Sequence, residues 1–212
     1  MKRHRDKDAK NPRGKERLKC FEAAIIGGTH KGKKILIPDL ATTRSSKSIL
    51  RESLFNTLQF DIVDRYFVEV FAGSGSVGLE ALSRGAGHGY FIEKNPTVFA
   101  LLQENIMHLG CQHAATAVQG DSFDLFETIH ANLLEKGVKS YFYFDPPFST
   151  REGMEDIYDK TIALMEMVDT EICAMVIVEH MTNLSLPQQL TNLTLHKQKR
   201  FGKSTLSYYL PC

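Results

Sequence analysis

Three acidic residues and one glycine-rich turn are spaced along the middle of the chain so that together they could hold a ligand. The most unusual is Asp145, which heads Asp145-Pro146-Pro147-Phe148 at the end of the apolar run "SYFYF". Neither proline can donate to a sheet ladder, and each locks its own φ. An acid and an aromatic ring are therefore held stiffly at the tip of a strand. Upstream, "EVFAGSGSVG" places Gly73, Gly75 and Gly78 in the pattern GxGxxG between a strand and a helix. That context is the one in which glycines let a backbone approach a bound cofactor. Glu93 lies 20 residues beyond Gly73, where an acid can hydrogen-bond ribose hydroxyls. Asp121, in "GDS", is either a helix N-cap or a ligand contact. This set describes a pocket for an adenosine-containing cofactor, and both NAD and S-adenosylmethionine fit it. NAD would call for a diphosphate on the helix N-terminus and a separate substrate domain, for which 212 residues leave little room. Asp-Pro-Pro-Phe also has no evident task in hydride transfer.

These residues need a scaffold that brings strand ends together, and the periodicity supplies one. "YFVEVF", "GYFIE", "ATAVQ", "SYFYF" and "ICAMVIVE" read as strands. Between them, "VGLEALSRG", "PTVFALLQENIMHLG", "SFDLFETIHANLLEKG" and "MEDIYDKTIALMEMV" read as helices, several ending on glycine. Alternation of this kind predicts an α/β fold with a mostly parallel central sheet and helices on both faces. Ligands of such sheets bind outside the carboxyl ends of the strands, where Gly73, Glu93, Asp121 and Asp145 would all meet. "LTLHKQKR" and "STLSYYL", around Gly202, predict a C-terminal antiparallel hairpin. Ahead of the sheet, "FEAAIIGGTHKGKKILIP" reads as a small N-terminal β-hairpin, and "SSKSILRESLFNTL" as a helix capped by Ser46 or Ser48. The division expected is a basic flexible tail over 1–20, a hairpin-and-helix extension over 21–60 and the catalytic domain over 61–212.

Charge is unevenly distributed. Residues 1–47 carry 14 Lys/Arg against 5 Asp/Glu, whereas residues 48–212 carry 12 against 20. A basic front on an acidic body points to a polyanionic partner. The four cysteines have no short spacing and the eight histidines form no ligand-like group, so no metal is expected. No apolar run approaches the ~20 residues of a membrane span, and the charged N-terminus lacks a signal-peptide core. A soluble cytoplasmic protein, with monomer as the default state, is the expectation.

In order and spacing, "EVFAGSG", "FIE", "GDS" and "DPPF" resemble the Rossmann-like S-adenosylmethionine-dependent methyltransferases that modify exocyclic amino groups. "IIGGTHKGKKILIP", "RESLFNTL" and "FAGSGSVGLEALSRGA" are further similar to the RsmD-type bacterial 16S rRNA guanine-N2 methyltransferases. The resemblance runs from about Ala24 to the terminal hairpin. It implies that Glu69, Phe71 and the turn Ala72, Gly73, Ser74 and Gly75 wrap the methionine part of S-adenosylmethionine. Glu93 would hold the ribose with Lys94 beside it, and Asp121 and Ser122 would contact the adenine. Asp145 would border the cofactor and, with the Pro146 carbonyl, bind the target amine. Pro147 would stiffen the turn, and Phe148 would stack on a flipped base. Lys31, Lys33, Lys34 and Arg44 would contact phosphates of 16S rRNA in the small ribosomal subunit or its assembly intermediate. Asp-Pro-Pro-Phe by itself is shared with DNA adenine-N6 and protein amine methyltransferases, which form the alternative; a non-catalytic ribosome assembly factor is a further one. The chain departs from the family pattern in having Arg44-Ser45-Ser46 before the first helix and Gly202-Lys203 in the terminal hairpin.

Overall fold

In the computed structural model, residues 18–39, 44–147 and 156–212 are described, without the side chains of residues 44–46. A two-stranded antiparallel hairpin comes first, β1 (Cys20–Ala24) and β2 (Lys34–Pro38), followed by α1 (Arg44–Leu58). The main body then alternates β3 (Tyr66–Glu69), α2 (Gly78–Ser83), β4 (His88–Glu93), α3 (Pro96–Leu109), β5 (Ala115–Gln119), α4 (Ser122–Lys136), β6 (Ser140–Phe144), α5 (Ile157–Glu166) and β7 (Cys173–Met181). The chain ends in β8 (Leu193–Phe201) and β9 (Ser204–Pro211). The seven-stranded sheet has the order β5-β4-β3-β6-β7-β9-β8; the first five in that order are parallel, and β9 inserts antiparallel between β7 and β8. The mostly parallel sheet with a terminal antiparallel hairpin and a small N-terminal hairpin is thus the architecture the sequence predicts.

Local chemistry fixes the helix ends. Asn95 accepts from the amides of Thr97 and Val98, Pro96 opens α3, and Gly110 closes it in the left-handed region. Asp121 caps α4 through the Phe123 amide, and Gly137 ends it in the same way as Gly110. One detail differs from the expectation: α1 already begins at Arg44. Ser46 and Ser48 lie inside its first turns, so neither is its cap.

The two faces of the sheet bury separate cores. On one, Phe67, Tyr143, Ile177 and Tyr208 pack with Leu54 and Phe55 of α1 and with Ile25 and Ile35 of the N-terminal hairpin. On the other, Val70, Phe142 and Val178 pack against Phe126 and Leu133 of α4 and Leu164 of α5. Alternate residues along a strand point to opposite faces, so a strand buried on both sides carries large aromatic or apolar residues at successive positions, as β6 does over 141–144. The hairpin and α1 share their core with the sheet.

The crossover geometry gives the sheet two distinct edges. Each helix returns the chain from the carboxyl end of one strand to the amino end of the next. The chain steps outward from β3 to β4 to β5 and then crosses back to β6 on the other side of β3. That reversal opens a crevice between the carboxyl ends of β3 and β6. Among the described residues, no helix is long and apolar enough to cross a membrane.

Candidate active site at the carboxyl edge of the sheet

The glycine turn follows β3 directly. Gly73 and Gly75 both take positive φ, 53° and 77°, a backbone region that glycine occupies at little steric cost. A Cβ on Gly73 would meet no atom within 4 Å, so the turn presents open backbone to the crevice. Gly78 has the opposite reason for being glycine. A Cβ there would lie 2.4 Å from the Phe91 ring and 2.9 Å from Glu69 Oε2, so only glycine lets α2 pack this close to β4.

Glu69 secures this arrangement from below. It is buried, with its Oε2 accepting from the Gly78 amide at 2.8 Å and Oε1 from Val77 at 3.3 Å. The carboxyl group anchors the start of α2 and so shapes the turn above it. Burial pushes the Glu69 carboxyl up to about 8 from an ordinary 4.5; Asp145 adds to the rise, while the Gly78 and Val77 amides and Arg51 oppose it. Between those values the folded chain keeps a proton that the unfolded chain has released, so stability falls as pH rises through that window. Glu69→Gln keeps an acceptor and removes the ionisation. Its stability relative to wild type, from denaturant unfolding at several pH values, is expected to grow from pH 4.5 to about 8 and then level off. A pH-independent difference would show that Glu69 titrates alike in the folded and unfolded chain.

Glu93, at the end of β4, reaches back to the turn. Its Oε2 accepts from the Gly73 amide at 2.8 Å and its Oε1 from Asn95 at 2.6 Å. Lys94 sits 2.6 Å from Asp121 Oδ2, while Asp121 Oδ1 accepts from Phe123 at 3.1 Å. Burial tends to raise the Asp121 carboxyl, but Lys94 and the Phe123 amide hold it below the usual range. Asp121 is thus both a cap and a member of an ion pair at the crevice. Ser122 donates its hydroxyl to the Val70 carbonyl, joining the start of α4 to the end of β3. Phe71 packs on Phe123 with ring centroids 5.6 Å apart. Asn105 of α3 donates to Ser74 O at 2.9 Å and pairs with both polar groups of the Leu36 backbone, tying β2 to the glycine turn.

Across the crevice, Asp145 follows β6. Phe144 pairs with Val178 in the sheet register, so Asp145 and Glu179 stand side by side. Lys47, from the first turns of α1, bridges them, with Nζ 2.8 Å from Asp145 Oδ2 and 2.8 Å from Glu179 Oε1. Tyr143 donates its hydroxyl to Glu179 Oε2 at 2.9 Å from within the core. Burial works against the charge on Lys47, but the two carboxylates hold its ammonium protonated well above the usual lysine range. Burial, Glu179 and Asp145 likewise keep the Tyr143 phenol protonated, so it remains a donor. Pro146 is buried and Pro147 half-buried behind Asp145. Phe148 and the Arg44 side chain lie outside the described residues.

The structure therefore brings Gly73, Glu93, Asp121 and Asp145 to one edge of the sheet. It adds Lys47, Glu179 and Tyr143, which the sequence did not single out. Glu179 carried a usable signal, since it lies near the end of an apolar strand as Glu93 does; Lys47 carried none. The N-terminal basic turn lies elsewhere. Thr29 donates its amide to Ser83 O at 2.7 Å, and His30 meets Cys111 at 3.4 Å. Both partners lie at or just past the ends of helices returning to the amino edge, so the exposed Lys31 and Lys33 sit at the edge opposite the site. Among the described residues, no group of three or more His, Cys, Asp or Glu could hold a metal.

Comparison with known proteins agrees with this fold. A family described as conserved hypothetical protein 95 matches residues 23–210. The chain is 34% identical over 190 residues to ribosomal RNA small subunit methyltransferase D of Escherichia coli strain K12, covering 87% of this chain and 88% of that one. It is 26% identical over 195 residues to the candidate rRNA methyltransferase YlbH of Bacillus subtilis strain 168, covering 87% and 97%. The solved structure of the candidate methyltransferase yhhF from Escherichia coli superposes with a TM-score of 0.69 at 32% identity, over 89% of this chain and 97% of that one.

Proposed function

The chain belongs to the family of ribosomal RNA small subunit methyltransferase D, and from that premise we propose that it methylates the exocyclic N2 amine of one guanine in 16S rRNA. One observation carries this reading beyond family membership: Asp145 and the Pro146 backbone stand across a topological switch from a glycine turn with open backbone. The residues fit S-adenosylmethionine, which supplies an electrophilic methyl group when bound. The open Gly73 backbone would receive its methionine part, Glu93 its ribose, and Asp121 with the backbone of Ser122 its adenine. Glu69 and Phe71 support that pocket from beneath.

The task left to the chain is to position the amine. The lone pair of a guanine amine is delocalised into the ring, so the nitrogen is a poor nucleophile. Asp145 would accept one N–H and the Pro146 carbonyl the other, drawing the nitrogen toward a pyramidal geometry with its lone pair aimed at the methyl group. Fixing reactants in one geometry is a large source of rate enhancement. The prolines contribute by fixing the turn and by placing no competing N–H beside the carbonyl. The amine must share Asp145 with Lys47, whose second anchor on Glu179 keeps the ammonium in place. The base has to leave its stack to reach this edge, and Phe148 would cover it; aromatic stacking is worth about 1–3 kcal/mol. Lys31, Lys33, Lys34 and Arg44 would contact phosphates, with the turn at the amino edge reaching RNA remote from the target nucleotide.

Incubation with radiolabelled S-adenosylmethionine and, in parallel, small ribosomal subunits, naked 16S rRNA, DNA and protein tests the proposal. Label is expected in the RNA as N2-methylguanine. Label only in DNA or protein would overturn it in favour of another amine methyltransferase.

A further inference from the structure

We infer that the β8–β9 hairpin is a phosphate-binding surface that grips the RNA next to the target nucleotide through Arg200 and Lys203. This rests on the proposed RNA substrate and adds where the strand lies. The first support is charge segregation. Residues 48–179 hold 8 Lys/Arg against 20 Asp/Glu, whereas residues 180–212 hold 4 Lys/Arg and no acid. All four cations fall between Lys197 and Lys203.

The second support is placement. Both β7 and β8 run antiparallel to β9, so β8 runs in the sense of β7 and its Phe201 end arrives at the carboxyl edge. The turn is fastened there. Thr182, just after β7, donates its amide to Lys203 O at 2.9 Å and its hydroxyl to Gly202 O at 3.0 Å. The turn is therefore on the edge that carries Asp145, two to three strand spacings away, or about 10–14 Å. The ends of β3, β4 and β5 form the cofactor pocket, so a polynucleotide delivering a base to Asp145 has the β7-β9-β8 side on which to lie.

The four cations divide by role. Lys199 donates to Ser53 Oγ and Thr57 Oγ1 of α1, both at 3.2 Å, and Lys197 lies over the Tyr208 ring at 5.0 Å. These two brace the strand against the body. Arg200 and Lys203 are exposed, and among the described residues neither takes part in an ion pair. Lysines along an edge strand also deter pairing with other chains. Lys197 meets that need in mid-strand; Arg200 stands at the last pairs of the ladder, opposite Thr205, and Lys203 lies in the turn, where the ladder has ended and a cation deters nothing. Lys47 and Lys94, at the same edge, are already held by carboxylates.

The test is binding of the full chain to a 16S rRNA transcript between about 50 and 200 mM salt, comparing wild type with Arg200→Ala/Lys203→Ala. Every phosphate that the protein no longer neutralises lowers the slope of log affinity against log salt by roughly 0.7–0.9, so the double substitution should lower it by about 1.5. S-adenosylmethionine binding and the unfolding midpoint should stay at wild-type values, and Arg200→Lys/Lys203→Arg should restore the slope. An unchanged slope in a variant that folds, while wild type binds RNA, overturns the inference and leaves the proposed function standing. A wild-type protein with no affinity for either the transcript or small ribosomal subunits overturns both.

Discussion

Asp145→Ala is expected to reduce methyl transfer at least about 100-fold, the scale on which misplacing a reacting group by an ångström is felt, while cofactor binding stays largely in place. The loss should fall on kcat, because the Asp145 contact to the amine matters most as the nitrogen becomes pyramidal. The fold should survive. Lys47 keeps a 2.8 Å partner in Glu179 when Asp145 is removed, and Tyr143 keeps its own bond to Glu179. Among the described residues no buried charge is stranded, which is the usual cause of severe destabilisation at such sites. Asp145→Asn separates the roles further, since it retains a carbonyl acceptor and removes the negative charge. Single-turnover measurements with saturating S-adenosylmethionine, together with calorimetry of cofactor binding, read these effects. Normal transfer by the alanine variant would show that the amine is oriented by other groups.

Glu80→Ala should damage the fold severely, costing about 3–5 kcal/mol, as when one partner of a buried charge cluster is deleted. Glu80 is fully buried on α2. Its Oε2 accepts from the Ile26 amide at 2.7 Å, and its Oε1 from the Gly27 amide at 2.8 Å and Arg84 Nε at 2.7 Å. Arg51 Nε is 3.9 Å away, and its Nη2 donates to Ala24 O at 2.8 Å. One carboxylate thus joins the bend after β1, α1 and the helix that follows the glycine turn. Its removal leaves two guanidiniums without their anion, although burial already weighs against the charge on Arg51. Glu80→Gln, which keeps the amide acceptor, should lose less. Denaturant unfolding measures the cost, and hydrogen exchange at Ile26 and Gly27 should rise first. A loss below about 1 kcal/mol would mean that the hairpin is held by its apolar contacts alone, through Ile25 and Ile35.

Most of the architecture was legible because it rests on local signals. The alternation of apolar runs at periods of 2 and 3.6 residues marks the elements of the parallel sheet, and Asn95, Pro96, Gly110 and Gly137 end or start helices by chemistry confined to a single turn. The rule that ligands meet strand carboxyl ends then places Gly73, Glu93, Asp121 and Asp145 together without any knowledge of packing. The same rule extended to β7 would have added Glu179.

What the sequence by itself determined is therefore the α/β class, the glycine turn and the acids of the site, because strand ends are properties of short segments. Tertiary structure decided the rest. Lys47 meets Asp145 and Glu179 across separations of 98 and 132 residues, a contact that exists only because α1 packs on one particular face of the sheet. Glu80 and Glu69 look like ordinary acids of a helix and a strand until burial turns them into anchors for backbone amides. The basic turn at Lys31 and Lys33 and the basic hairpin at Arg200 and Lys203 look alike as strings of charge. Only the direction in which β2 and β8 run relative to the sheet puts the first at the far edge and the second on the edge that carries Asp145.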